Sequence, residues 1–274
     1  MLGSQLCRTL TAAGHDVTPA TRPTFDLTDP AACAAAVGHA DWVVNCAAYT
    51  AVDAAESHEG HAFEVNALGP AMLGRAARLA GARLLHVSTD YVFSGNATTP
   101  YAEDAPLAPR SAYGRTKAAG EWAVRAECPD AIIVRTAWLY GPGGPSFVAK
   151  MAQLAGERET VSVVSDQIGQ PTTTAHLSLF IAQLIASGAP AGVYHGTCVG
   201  TTSWHGLAQA VFQELGLDPG RVLPIGTAEY PLPAPRPAYS VLGHERASAV
   251  GVQVLPHWRV ALATTIASVT GGMA

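Results

Sequence analysis

A tyrosine and a lysine four residues apart, Tyr113 and Lys117 in "YGRTK", carry the sharpest chemistry in this sequence. Residues four apart share one face of a helix. A phenol ionises near pH 10, too high for useful proton transfer at neutral pH, and a neighbouring ammonium lowers that value. Such a pair can exchange a proton with a substrate carbonyl or hydroxyl. The chain has eight Tyr and only two Lys, so this spacing rarely arises by chance. Upstream, "LLHVST" leads into Ser88, Thr89 and Asp90. Ligands of parallel sheets bind at the carboxyl ends of strands. The Thr89 hydroxyl is therefore expected to hydrogen-bond a carbonyl oxygen there. Turn capping is the plainer role for Thr89 and Asp90.

The elements that must position these residues alternate. Residues 42–48, 82–89 and 131–141 read as buried parallel strands. A helix is expected over 60–81, stopped by Gly81, and another over 111–127, capped by Ser111. "DVTPAT" (16–21) reads as an earlier strand. This pattern predicts an α/β fold with a Rossmann-like, doubly wound parallel sheet. From 146 onwards loops dominate, and "YPLPAPRPAYSVL" (230–242) cannot be regular structure. Residues 1–145 are expected to be mainly dinucleotide-binding. Residues 146–274 should form a smaller, loop-rich substrate lobe, with elements intermixed.

Composition narrows the class. The chain has 274 residues, 49% of them hydrophobic, enough for a sizeable core. A net charge of -5 without a basic block argues against nucleic acid or an anionic membrane as partner. No apolar run reaches spanning length, and no signal-peptide layout opens the chain. Five scattered cysteines without a CxxC fit reduced thiols in a cytoplasm, with Cys46 a small core residue. His58 and His61 form an H-x-x-H without matching carboxylates or cysteines, which reads as a solvated helix face. Ser203 and His205 lie too close together for a triad. No metal site is assigned.

The strand-end Thr and the Tyr-x-x-x-Lys helix resemble the extended short-chain dehydrogenase/reductase superfamily. "VVNCAAYTAVDAAE", "VNALGP", "VSTDYVFSG", "YGRTKAAGE", "RTAWLYG", "DQIGQPT" and "APRPAYSVL" occur in order. Together they resemble the dTDP-4-dehydrorhamnose reductase family within that superfamily. The resemblance implies reduction of the C4 ketone of a dTDP-4-keto-6-deoxy sugar by a nicotinamide cofactor. Tyr113 would protonate the developing alkoxide. Lys117 would hold the nicotinamide ribose and lower the tyrosine pKa. Thr89 and Asp90 would orient the dTDP-sugar, and Trp138 would lie against it, its alternative being a core Trp at a strand end. On the cofactor side the resemblance assigns Asp26 and Leu27 to the adenine. It places Ala48, Tyr49 and Thr50 beside the cofactor and Val87 beneath the nicotinamide. Thr21 and Arg22 suit a 2′-phosphate better than a ribose hydroxyl, so NADPH is expected, with NADH left open. Magnesium at a subunit contact is known in the family, but no local ligand cluster places it here. A homodimer is compatible with the family.

The N-terminus departs from the family's pattern. Members open with a buried strand and a G-x-x-G-x-x-G loop that cradles pyrophosphate at a helix N-terminus. Only Gly3 matches, with Met1 and Leu2 at the preceding loop positions, so the first strand is missing. Met1 is expected to be internal to a longer reading frame, the alternative being a truncated copy. Two other activities share these residues. One is a ketoreductase for another dTDP-deoxysugar. The other is a non-catalytic role like that of the regulatory subunit of methionine adenosyltransferase.

Overall fold

Helix α1 (Leu2–Ala12) buries Leu2, Leu6 and Leu10, a spacing that turns one apolar stripe inward. The protein is described by a computed structural model over residues 1–271. After α1 come α2 (Pro30–Val37), β1 (Trp42–Asn45), α3 (Val52–Ala55), α4 (Glu59–Phe63), α5 (Gly69–Ala80) and β2 (Arg83–Thr89). Next are α6 (Ala112–Glu127), β3 (Ile132–Thr136), β4 (Leu139–Tyr140), α7 (Phe147–Glu157), β5 (Val161–Val164), β6 (Ile168–Gly169) and β7 (Thr172–Thr173). Helix α8 (Thr174–Ala186), β8 (Gly192–His195), β9 (Cys198–Val199), β10 (Thr202–Ser203) and α9 (Trp204–Glu214) follow. Strand β11 (Val222–Ile225), α10 (Glu245–Ala249), β12 (Leu255–His257) and α11 (Trp258–Thr270) complete the order.

The central sheet runs β1-β2-β3-β8 with every pair parallel. Alternation along each strand sends side chains to two buried faces. Leu85, Ile132, Val134 and Tyr194 pack with α1 and α8. Leu84, Ile133 and Val193 pack with α2, α5 and α6. Strand β8 belongs to the second half of the sequence yet completes the sheet, so the two halves interleave. The last residues of the expected C-terminal lobe, 272–274, lie outside the described residues.

Three expected elements differ. Residues 16–21 form no strand. Strand β1 is the sheet edge, Pro19 has no N–H to donate, and only Val17 of the six is even partly buried. The segment therefore has neither a ladder nor an apolar face. The strand expected over 131–141 stops at Thr136, because Trp138 turns left-handed (φ 46°), and resumes as β4. The helix expected over 60–81 is broken by a π-helical turn at Glu64–Leu68, which rotates Asn66 inward, before Gly81 ends it in a left-handed cap.

Helix α6 carries the Tyr–Lys pair, and its start is set as expected: Ser111 Oγ accepts from the Gly114 amide at 3.0 Å. Two glycines bring the helix close to its neighbours. A Cβ at Gly114 would collide with the Tyr91 carbonyl, and one at Gly120 with the Asn66 carbonyl.

Candidate active site

Helix α6 presents Tyr113, Lys117 and Glu121 on one face, each one turn beyond the last. That face covers β2 at its carboxyl end. Tyr113 is half-buried, with its ring edge-on to Tyr91 at 5.5 Å between centroids. Burial pushes its phenol up to about 12; the neighbouring Thr89 hydroxyl opposes that rise and the Asp90 charge adds to it. Lys117 is 1% exposed, and its ammonium nitrogen donates to the Val87 carbonyl at 2.8 Å. The expected lowering of the tyrosine pKa by this lysine does not arise in this geometry. The lysine nitrogen is turned onto β2 and onto His86, at 3.3 Å.

Thr89 caps the turn after β2, accepting from the Tyr91 amide at 3.3 Å while donating to Asp90 Oδ1 at 2.9 Å. The capping role and the strand-end placement thus coexist in one hydroxyl. Asp90 is 2% exposed, and its Oδ2 has no partner. Ser240 Oγ lies close enough to lower the Asp90 pKa, yet it too is buried without a hydrogen bond of good geometry. Burial dominates and raises the Asp90 carboxyl to about 6 from 3.8. A folded-state pKa above the unfolded one means that folding takes up a proton between about pH 4 and 6. Stability from this group is present at low pH and is lost as pH rises through that window. Asp90→Asn should therefore stabilise the protein near pH 7 by about 3 kcal/mol and flatten the dependence between pH ~4 and ~6. Urea unfolding at the two ends of the window checks this, and an unchanged slope would contradict it.

Below the catalytic face lies a buried polar row that the sequence reading missed. Ser88, Arg135 and His195 are register neighbours on β2, β3 and β8. Arg135 binds Glu121 through two bonds, 2.9 and 2.7 Å, with both side chains at most 3% exposed. Ser88 Oγ donates to the same carboxylate at 2.5 Å. His195 faces Arg135 at 3.4 Å, and burial pushes it down to about 3. The signal was present in the i, i+4 continuation from Lys117 to Glu121. Its partner on β3 was not visible.

The residues expected beside the cofactor lie at the start of α1, in the loop before α2, in the loop after β1 and on β2. Helix α1 starts without a side-chain cap, so its first amides are free for an anion. Gly3 passes close to Cys46, where a Cβ would sit 3.8 Å from the cysteine Cβ. Met1 packs against Gly144, and Leu2 is buried in the core. Ala48 and Tyr49 are half-buried and Thr50 is exposed. Asn66 clamps this loop: its Oδ1 accepts from the Tyr49 amide at 2.8 Å, and its Nδ2 donates to the Tyr49 carbonyl and to Thr116. Burial pushes the Cys46 thiol up to about 12, which leaves it unreactive. Asp26 is exposed and tied to Thr28, Leu27 is buried, and Arg22 stands on the exposed loop beside Asp26. These free amides, small residues and solvent-facing polar groups have the chemistry that a dinucleotide requires of its site.

Trp138 is not a plain core residue. It holds a left-handed backbone, strained for any side chain but glycine, and stacks on Trp204 at 3.6 Å and 8°. A Cβ at Gly169 would collide with its indole. The pair borders a cavity of about 70 Å³ with Phe147 and Leu207. Among the described residues no group of three His, Cys, Asp or Glu could hold a metal ion, and His61 pairs with Glu64 at the surface. No described helix is long and apolar enough to cross a membrane.

The chain is similar to several known proteins. The family model described as RmlD substrate binding domain matches residues 1–270. A dTDP-4-dehydrorhamnose reductase of Streptomyces griseus is 50% identical over 99% of this chain and 91% of that protein. A probable dTDP-4,6-dihydroxy-2-methyloxan-3-one 4-ketoreductase of Streptomyces antibioticus is 48% identical over 96% of this chain and 90% of its own length. Among solved structures, the dTDP-4-dehydrorhamnose reductase of Bacillus anthracis in complex with NADP superposes with a TM-score of 0.93. It is 37% identical, covering 96% of this chain and 94% of that one.

Proposed function

Because the chain belongs to the RmlD substrate binding domain family, we propose that it reduces the C4 ketone of dTDP-4-dehydrorhamnose to give dTDP-L-rhamnose, with NADPH as reductant. The observation that carries this reading is the convergence of Tyr113, Thr89 and the unpartnered Asp90 carboxylate oxygen at the end of β2. When bound, the nicotinamide supplies a hydride to the carbonyl carbon. Thr89 turns its single hydroxyl proton from Asp90 Oδ1 to the ketone oxygen, which draws electron density onto that oxygen. Tyr113 gives its phenolic proton to the developing alkoxide. Asp90 Oδ2 accepts from a sugar hydroxyl, which relieves its buried, unpaired state. Trp138 offers the edge of its stacked indole to the apolar face of the 6-deoxy sugar.

The free amides at the start of α1, with Met1, Leu2 and Gly3, receive the pyrophosphate. Ala48, Tyr49, Thr50 and Val87 form the floor beneath the cofactor, and Asp26 and Leu27 border the adenine. Arg22 takes the 2′-phosphate, where a guanidinium can make paired charge-assisted bonds. Arg22→Ala is accordingly expected to weaken NADPH by about tenfold relative to NADH. Titrating both cofactors by nucleotide fluorescence checks it; if the ratio stays put, Arg22 does not select.

The likeness to a 4-ketoreductase acting on another dTDP-sugar favours a second reading, in which the same machinery serves a different ketone. Offering purified protein dTDP-4-dehydrorhamnose and dTDP-4-keto-6-deoxyglucose side by side separates them. Faster NADPH oxidation with the first supports the proposal. Turnover of only the second would replace it.

A further inference from the structure

Lys117 is buried against a histidine whose tautomer is fixed from the other side. Asn45 and His86 are register neighbours on β1 and β2, 4% and 0% exposed. The Asn45 amide cannot be turned around, because its Oδ1 accepts from the Ala47 amide at 3.0 Å. Its Nδ2 must therefore face His86 Nδ1, at 3.1 Å, and donate to it. An imidazole nitrogen that accepts carries no proton, so the single proton of a neutral His86 sits on Nε2. Protonating both nitrogens is disfavoured: burial and the nearby lysine hold His86 well below its ordinary pKa.

That Nε2–H points at Lys117 Nζ, 3.3 Å away. An ammonium has three donors and no acceptor, so it would meet this N–H donor to donor. An amine has a lone pair and receives it. The remaining contact agrees, since Val87 O takes one N–H from the nitrogen and no other acceptor among the described residues lies within hydrogen-bond distance.

We infer that Asn45 and His86 are positioning residues that bias Lys117 toward its amine form. The other groups facing Lys117 are Glu121, one turn on along α6, whose charge favours the ammonium, and the Cys46 thiol after β1, which would do the same if ionised. Burial outweighs both and brings the lysine down to about 8. The ammonium still predominates below that pH, and the positive charge that could assist Tyr113 is lost as pH rises through it. The inference concerns the same site as the proposed reductase reaction. Its test is made on the free protein, so its failure can be told from failure of that reaction.

Only two lysines exist in the chain, Lys117 and the exposed Lys150. Nitrogen-15 labelling of lysine side chains therefore gives two assignable Nζ signals, whose shifts separate amine from ammonium. In the unmodified protein the Lys117 signal should titrate near pH 8. His86→Phe removes the N–H that faces the lone pair, so the Lys117 midpoint should rise by about 1 pH unit, a tenfold change in the amine-to-ammonium ratio. Burial acting alone predicts the opposite sign, because phenyl is less polar than imidazole. A midpoint that falls or stays in His86→Phe overturns the inference. Should that variant not fold, Asn45→Asp reverses the tautomer by accepting from Nδ1–H, and an unchanged midpoint there overturns it equally.

Discussion

Tyr113→Phe should lower kcat by about 10²–10⁴-fold while leaving NADPH affinity within about twofold of the unmodified protein. The substitution removes one oxygen and keeps the ring. The edge-on contact with Tyr91 needs only that ring, so the local packing survives. What is lost is the proton that the alkoxide requires, together with the phenol oxygen beside the Thr89 hydroxyl. An interaction made only in the transition state lowers kcat and kcat/KM together. Steady-state kinetics alongside cofactor fluorescence make the comparison. Turnover within tenfold of the unmodified protein would remove Tyr113 as proton donor. A parallel loss of cofactor binding would instead point to disturbed packing.

Glu121→Leu should destabilise the fold by about 3–5 kcal/mol, because it leaves the Arg135 guanidinium buried without its carboxylate. The pair is at most 3% exposed, so solvent cannot take over the role of the lost partner. Ser88 also loses its acceptor. Arg135 keeps only the Glu103 carbonyl at 3.0 Å, the His195 ring nitrogen at 3.4 Å and its place over the Phe93 ring. Removing both charges with Glu121→Leu and Arg135→Met together should recover much of the loss, since a matched apolar pair avoids the unpaired charge. Urea unfolding of the two single variants and the double variant forms the cycle. A cost below about 1 kcal/mol for Glu121→Leu would mean that the ion pair contributes little net stability. The pair also has a positional consequence: it pins the middle of α6 onto β2 and β3, two turns below Tyr113.

Much of this site was legible because its determinants are local. Tyr113 and Lys117 declare themselves by helical spacing, Ser111 by its place before the helix, and Gly81 by its place after one. Thr89 and Asp90 were legible from the end of an apolar run. What escaped the sequence depends on partners far along the chain. Glu121 follows Lys117 at the same spacing, but its meaning requires Arg135 on another strand. Lys117 was expected to face its tyrosine, yet its neighbours include His86, which only the pairing of β1 with β2 brings under Asn45. Residues 16–21 have the composition of a strand, and failed to become one because no ladder runs beside them. The π-helical turn around Asn66 left no periodicity signal, since it inserts an extra residue to place one amide rather than an apolar face. Trp138 read equally well as core or as site; its left-handed backbone and its stacking on Trp204 belong to loops that meet only in the fold.

The central claim is that this chain transfers a hydride to the C4 carbon of dTDP-4-dehydrorhamnose while Tyr113 protonates the oxygen. The most direct measurement follows the hydride itself, using NADPH deuterated at the transferable position of its nicotinamide ring. The account predicts dTDP-L-rhamnose carrying one deuterium at C4, formed by the unmodified protein and nearly absent with Tyr113→Phe. Bound NADPH that passes no deuterium to this sugar, or product labelled at any other carbon, would contradict it.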